Sequence, residues 1–448
     1  MKNSPPPSDP EVVELLRQMI VNACVNDGTP ASGHEVANAE LLCSFLEGSG
    51  CDLERFEPLP GRVSLVARIE GREAGAPTLC YLGHTDVVPA NPETWSRDPF
   101  GGELVDGEVW GRGAVDMLNI TASMAVSFGR LSRSGFRPRG TLILAAVADE
   151  EALGSHGAGW LSEHAGASVA ADYVITESGG VPMETPGGRR LAVVVGEKGS
   201  CWCRLRVRGV AGHASAPLRT DNALVTAAQV ITRLAAFRPP ALLHDAWRRF
   251  VAGMAFPEHV AAALLDPGAI DDLCESFPDA GLARQAHACT HMTVAPTVVH
   301  GGTKLNVIPD QLDLDLDVRT LPGQSEAEVR SLLYEAIGDL AEKVEILWAQ
   351  NDPASESPVG TPLWDELDSM VRRFHPGAEP VPFFSAGATD ARFFRRRGAV
   401  AYGFGMFSDR LSFEQYLSMF HGDDERVDVE SLALSAEMFE ALPRSFLT

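Results

Sequence analysis

Thr141-Leu-Ile-Leu-Ala-Ala-Val-Ala-Asp-Glu-Glu151 is the stretch on which the rest of the chain is read. Its apolar run has the length and composition of a buried strand, and it stops on consecutive acids. Inside a strand, Glu150 and Glu151 would point to opposite faces. A strand end followed by a turn instead lets both side chains converge on one pocket. One carboxylate can then hold a metal ion while its neighbour moves a proton. Alone, the pair would also suit a glycosidase or a plain charged turn. Upstream, His84, Asp86 and Asp116 each lie just past an apolar or Gly-containing segment.

The chain has 448 residues, which exceeds the usual size of one domain, so two structural units are expected. Apolar residues make up 45% and charged residues 22%, a globular balance, and no apolar run of about 18 residues or more could span a bilayer. A formal charge of -24 repels phosphate backbones and acidic membrane surfaces, so neither nucleic acid nor membrane is an expected partner. Met1 to Glu11 is polar and Pro-rich without a charged-then-apolar leader, which makes a cytoplasmic location the expectation. The eight cysteines lack a repeated Cys-x-x-Cys spacing and read as buried free thiols. Cys201 and Cys203 would share one strand face, but two thiols alone are a weak metal signal.

Periodicity predicts helices over Pro10 to Cys24 and Ser32 to Leu46, the second opened by a Ser32-x-x-Glu35 capping box. Strands are predicted at Val63 to Ile69, Thr78 to Leu82, Thr141 to Val147 and Tyr173 to Thr176, with a small-residue helix near Ile120 to Leu131. This alternation predicts an α/β catalytic domain with a mixed central sheet flanked by helices. After Glu197 the order becomes strand (Cys201 to Val207), helix (Ala223 to Phe237), two strands (Thr293 to Val299, Gln311 to Val318), helix (Glu326 to Leu340) and strand (Val344 to Trp348). That β-α-β-β-α-β order is the signature of a ferredoxin-like domain, expected at 197–353 and inserted between catalytic segments 1–196 and 354–448. Residues 238–290 form an insertion within it, expected to hold a few short helices. Helices at Leu363 to Phe374 and Val429 to Ala441 then return to the first domain.

His84-x-Asp86 follows an apolar run, and its spacing lets the carboxylate orient the imidazole. By itself such a pair is common and needs no function. Asp116 in Gly111-Arg-Gly-Ala-Val-Asp-Met, Glu150-Glu151, Glu177 and His421 in His-Gly-Asp-Asp-Glu all fall beyond apolar segments or in Gly-rich turns. Together they suit a two-metal site.

These motifs, with Gly83-His-Thr-Asp-Val-Val-Pro, Thr176-Glu-Ser, Gly212-His-Ala-Ser-Ala-Pro, Gly302-Thr-Lys-Leu-Asn-Val-Ile-Pro, Asp317-Val-Arg and Gly387-Ala-Thr-Asp-Ala-Arg, resemble the co-catalytic zinc metallopeptidase family of succinyl-diaminopimelate desuccinylase, aminoacylase and carboxypeptidase G. The resemblance spans nearly the whole chain. It implies that His84 and Glu177 bind one zinc, that Glu151 and His421 bind the other, and that Asp116 bridges them; cobalt or manganese could substitute. It further implies that Glu150 is the general base, that Asp86 braces His84, and that His213 reaches a neighbouring subunit's site in a homodimer. Asn306, Arg319 and the Gly387 turn match positions that hold a substrate carboxylate. The implied activity is hydrolysis of an amide next to a free carboxylate, in an N-acyl amino acid or short peptide. A succinyl-diaminopimelate desuccinylase-type deacylase is the alternative, and a non-catalytic binding protein on the same fold a remote one.

Three departures qualify the resemblance. Leu118-Asn119 stands where relatives carry Lys-Gly, the 238–290 insertion lengthens the second domain, and Glu at 177 matches the carboxypeptidase and acylase branches. Hinges near Gly196 and Asp352 would permit the second domain to move as a lid.

Overall fold

The computed structural model describes residues 8–277 and 280–448. A ten-stranded mixed sheet runs in the order Asp52–Leu59, Arg62–Ile69, Thr141–Val147, Thr78–His84, Tyr173–Thr176, Val400–Gly403, Gly188–Glu197 and Ser355–Glu356. Glu379–Ser385 lies parallel to Gly188–Glu197, and Pro182–Thr185 antiparallel to it. At the centre, Thr141–Val147, Thr78–His84 and Tyr173–Thr176 are mutually parallel.

These strands are apolar throughout because both of their faces are covered. Leu79, Tyr81, Leu142 and Leu144 point into the core under the helices Pro10–Val21, Leu118–Arg133 and Val429–Phe446. Cys80, Leu82, Ile143 and Ala145 face the opposite cluster, which contains Ala158, Leu161, Ala391 and Phe394. Helix Leu118–Arg133 is rich in small buried residues and so approaches its neighbours closely. Ser127 Oγ donates 2.7 Å to the Ala436 carbonyl of the last helix. On the sheet side Gly83 is required, since a Cβ there would lie 2.4 Å from Thr121 Oγ1.

The second unit follows the predicted strand and helix order: Cys203–Arg208, Ala223–Ala236, Thr293–Gly301, Gln311–Thr320, Glu326–Ile337 and Val344–Trp348. Its antiparallel sheet is ordered Thr293–Gly301, Gln311–Thr320, Cys203–Arg208, Val344–Trp348. Strict alternation along Gln311–Thr320 places Leu312, Leu314, Leu316 and Val318 under the two helices. The open face instead carries the cross-strand pairs Arg204–Asp315 and Arg206–Asp313, at 2.6 and 2.9 Å. Cys201 and Cys203 lie in the apolar cluster as free buried thiols. The two chain crossings between units sit side by side, where Ser200 and Asp352 exchange backbone hydrogen bonds of 2.8 Å each.

The insertion forms the helices Asp245–Met254, Glu258–Leu264, Ile270–Ser276 and Ala280–Thr290. Although continuous in sequence with the second unit, these helices pack on the large sheet. Trp247, Val251, Leu264 and Ile270 belong to its core cluster, and Phe250 stacks edge-on against Phe383 of strand Glu379–Ser385.

Several local expectations differ from the structure. The first helix stops at Val21, before Ala23 takes a positive φ of 47°. Ser32 and Glu35 form no capping box: the second helix starts at Val36, Ser32 Oγ turns back to the Thr29 carbonyl, and Glu35 is buried against Arg62 at 2.7 Å. Burial and a full ion pair compete better for that carboxylate than a cap would. Helix Glu326–Ile337 tightens into a 3₁₀ turn, Gly338–Lys343, after Gly338 takes a positive φ.

The indole of Trp247 is buried and donates 2.9 Å to the Leu264 carbonyl, tying the insertion's first two helices together. Trp247→Ala should therefore destabilise the protein by about 3–5 kcal/mol, measured as a lowered urea midpoint.

Candidate active site

The carboxyl ends of the three parallel strands supply most of the site, as the crevice rule for open α/β sheets leads one to expect. His84 ends its strand in register with Val147. Glu150 and Glu151 form a 3₁₀ turn just beyond Val147, and Glu177 follows Thr176 directly. Asp116 comes from the loop ahead of helix Leu118–Arg133, and His421 from the turn after helix Phe413–Met419.

His84 Nε2 lies 3.3 Å from Asp116 Oδ1 and 3.8 Å from Glu177 Oε2. His421 Nε2 lies 3.3 Å from Asp116 Oδ2 and 3.2 Å from Glu151 Oε2. Each oxygen of Asp116 thus serves a different triad, and the ligand-type atoms within each triad fall within 4.8 Å of one another. Glu151 Oε1 is buried without a hydrogen-bond partner. This donor set fits two adjacent divalent cations of the zinc type: nitrogen and carboxylate oxygen ligands, a shared central carboxylate, and an unsatisfied oxygen.

The electrostatics point the same way. Burial pushes Glu150 well above the ordinary carboxylate range, with Glu177 adding to the effect, and raises Glu151 to about 7. Burial would also raise Asp116, yet contacts from His421 and His84 hold it below its ordinary value. Contacts with Asp116 and Glu151 raise His421 to about 10. So many acids sharing one buried volume require positive charge among them.

Asp86 occupies a different place from a simple brace on His84. The His84 Nδ1–H donates to the Asp86 backbone carbonyl at 3.0 Å, which leaves the Nε2 lone pair facing Asp116. The Asp86 carboxylate is 3.6 Å from that ring and accepts instead from the backbone N–H groups of Glu150 (3.2 Å) and Glu151 (3.1 Å) and from Asn26 (2.8 Å). It orients the paired glutamates through their backbone.

A cavity of about 390 Å³ opens over these residues. The sheet, the Ser385–Thr389 loop, Gln285 of the insertion and Trp202 and Arg319 of the second unit all line it. Arg319 binds Asp317 through two hydrogen bonds of 2.7 and 3.0 Å and donates a third to Ser200. Gly387 is at the wall, its N–H donating to Ser385 Oγ. One side is apolar, formed by Phe383, Phe413, Tyr416, Leu417 and Phe420. His213 and Asn306 are not brought to this cavity: both are exposed on the second unit, where strand Gly212–His213 pairs with Val307–Ile308 and Ala214 N–H donates to the Asn306 carbonyl.

Two site residues escape the motif reading. Glu425 is fully buried and accepts from the backbone N–H groups of Gly113, Val115 and Asp116 and from Arg112, all within 2.6–3.0 Å. It holds the loop that presents Asp116. Its position, four residues after His421, was its only signal. Asp390 is buried with neither oxygen hydrogen-bonded, and burial raises it to about 8. It is the fourth residue of the Gly387-Ala-Thr-Asp-Ala-Arg motif, where a role was expected of the Gly387 turn alone.

Comparison with known proteins decides the lineage. The profile of peptidase family M20/M25/M40 matches residues 80–445. The chain belongs to that family. It is accordingly a metal-dependent hydrolase. Succinyl-diaminopimelate desuccinylase of Stenotrophomonas maltophilia (strain K279a) is 30% identical over 380 residues, covering 83% of this chain and 85% of the relative. The N-fatty-acyl-amino acid synthase/hydrolase PM20D1 of Xenopus tropicalis is 26% identical over 393 residues, covering 85% and 74%. The M20 family metallo-carboxypeptidase Sso-CP2 of Sulfolobus solfataricus superposes with a TM-score of 0.72 at 19% identity, covering 98% of this chain and 99% of that one.

Replacing Glu425 by Gln sets an amide NH₂ against backbone donors in a dry site. The M20/M25/M40 member carrying E425Q should lose about 1.5–3 kcal/mol of stability, read from chemical denaturation, with part of its bound metal lost at equal free metal.

Proposed function

We propose that this protein is a dinuclear zinc hydrolase that cuts an amide bond next to a free carboxylate, releasing an amino acid from an N-acyl amino acid or short peptide. The carrying observation is the pair of triads sharing Asp116, with Glu150 beside them and left free of metal-ligand contacts. His84 and Glu177 hold one ion, Glu151 and His421 the other, and Asp116 both; cobalt or manganese could substitute. Bound divalent cations acidify water and polarise a carbonyl. Glu150 takes the proton of the attacking water and delivers it to the departing amine, a role suited to a buried carboxyl whose proton affinity has been raised. Asp86 keeps Glu150 in place through its backbone N–H.

The substrate carboxylate is assigned to Arg319, whose five N–H groups are only partly used by Asp317 and Ser200. Gly387 lies along the same wall. The aromatic residues Phe383, Phe413, Tyr416 and Phe420 in the lining favour an apolar acyl group or side chain. That favours an acylase or carboxypeptidase-type reading over a desuccinylase, because among the described residues Arg319 and Arg392 are the only guanidinium groups lining the cavity, and Arg392 is already held by Asp352 and two carbonyls. A succinylated diamino diacid brings several carboxylates that such a pocket does not match.

The second unit is assigned as a ferredoxin-like lid and dimerisation domain at 197–353, with the catalytic domain at 1–196 and 354–448. An open sheet edge at Thr293–Gly301 with exposed Val298 and Val299, together with Leu224, Val225 and Leu305, supports a homodimer. In it His213 and Asn306 would serve the partner's site. Among the described residues no helix is long and apolar enough to cross a membrane; a cytoplasmic location remains part of this reading.

Glu150→Ala should lower turnover by about 10²–10⁴-fold while elemental analysis finds the metal content of the parent. Retained activity would sink the assignment. Glu151→Ala should instead lose metal. In a panel of substrates, N-acyl amino acids with apolar acyl groups should be cleaved in preference to N-succinyl-diaminopimelate, and the reverse order would favour the desuccinylase alternative.

A further inference from the structure

We propose a third divalent-cation site, separate from the active site, formed by Asp271, His287 and His291 in the helical insertion. The ligand-type atoms of these residues lie within 4.8 Å of one another. His287 and His291 are one helical turn apart, and their rings stack at 4.3 Å and 7°. Asp271 comes from the neighbouring helix Ile270–Ser276 and places Oδ1 3.2 Å from His291 Nε2.

The tautomer of His291 carries the inference. Its Nδ1 lies 3.1 Å from the His287 carbonyl and 3.0 Å from Thr290 Oγ1, whose own hydroxyl is already donated to the Ala286 carbonyl at 2.7 Å. Both neighbours of Nδ1 are therefore acceptors, and Nδ1 carries the proton. In the neutral ring that leaves a lone pair on Nε2. This side chain is fully buried, and neither His291 Nε2 nor Asp271 Oδ1 has a hydrogen-bond partner, although they face each other at contact distance. Two facing acceptors repel unless a proton or a metal cation sits between them, and the missing hydrogen bond at 3.2 Å speaks against the proton. A histidine that donates one nitrogen to a backbone carbonyl and aims the other at a carboxylate is the arrangement of a metal ligand. A separation near 3.2 Å also suits two ligands of one tetrahedral ion with bonds of about 2.0–2.2 Å.

The surrounding charges do not compete for the ligands. Lys198 lies close by, and its Nζ is spent on the His291 carbonyl (2.7 Å) and Thr293 Oγ1 (3.0 Å). Asp271 is partly exposed, which leaves an entry path and a position for solvent. An ion here would clamp helix Ala280–Thr290 to helix Ile270–Ser276. The clamped helix also carries Gln285, which lines the catalytic cavity, and Cys289, whose thiol donates to the Phe384 carbonyl at 3.1 Å. The ion would thus fix the insertion's wall of the active site without touching the reacting atoms.

The test is zinc content by elemental mass spectrometry on full-length protein equilibrated with Zn²⁺ and freed of excess. His287→Ala and Asp271→Asn should each hold one zinc per chain fewer than the parent, with unchanged circular dichroism. His421→Ala, directed at the catalytic pair, should leave the 271/287/291 equivalent in place, and adding His287→Ala to it should remove one more. Because each reading is a difference of one equivalent, it does not depend on how many ions the catalytic pocket holds. Asp271→Asn, a nearly isosteric change at a partly exposed position, keeps the comparison usable if His287→Ala folds poorly. Parental zinc content in folded Asp271→Asn overturns the site.

Discussion

Crowding of buried carboxylates at the ends of three parallel strands is the constraint on which the rest of this structure depends. Glu150, Glu151, Glu177 and Asp116 line one pocket with Asp390 buried close by, and burial, helped by neighbouring carboxylates, raises the proton affinity of most of them. Burial acts on Asp116 too, but contacts with His421 and His84 hold it below its ordinary value. The arrangement is electrostatically incomplete without added positive charge. That is what a site made to bind cations has to be, and it explains why stability and metal content should move together here.

The fold answers this by using further acids as backbone anchors. Asp86 accepts from the N–H groups of Glu150 and Glu151, and Glu425 from those of Val115 and Asp116. Neither contacts a second acid's carboxylate through hydrogen bonds, so each positions a ligand-bearing turn without neutralising it. Behind them, Arg62 links Glu35 and Asn26, and Asn26 in turn donates to Asp86. Positive φ angles at Asp149, Ser178 and His421 place mild backbone strain directly beside Glu150, beside Glu177 and on His421 itself. Such conformations persist when the surrounding packing over-determines them, and here the anchors supply that packing.

The cavity is a composite. The strand ends supply its acids, the 238–290 insertion contributes Gln285, and Trp202 and Arg319 arrive from the second unit. Glu197 secures the junction: it closes the strand that leads out of the large sheet and is buried against Arg395 at 2.8 Å while accepting from Thr389 N–H. Substrate specificity therefore rests on the relative placement of three segments far apart in sequence.

Much of this was legible in the chain. Unbroken apolar runs ending in His84, Glu150-Glu151 and Glu177 announce parallel strands covered on both faces, and acids at such ends belong to one crevice. The alternation in Gln311–Thr320 likewise reads directly as a half-covered strand. Less visible were Asp52–Leu59, a charge-rich edge strand without apolar alternation, and Gly188–Glu197, whose apolar run fits a buried strand or helix equally well. The Ser32/Glu35 pattern misled because a buried arginine 27 residues away claimed the glutamate.

The sequence by itself determined the ligand-type residues, the strand ends that carry them and the order of elements in the second unit, because these follow from local polarity and period. Only the tertiary structure decided that Asp116 splits its oxygens between two triads, that Asp86 and Glu425 hold turns through backbone N–H groups, that the insertion packs on the first sheet, and that Asp271 meets His287 and His291. Each of those depends on hydrogen-bond partners and burial brought together by packing, and no periodicity in the chain encodes which distant group a buried polar atom will find.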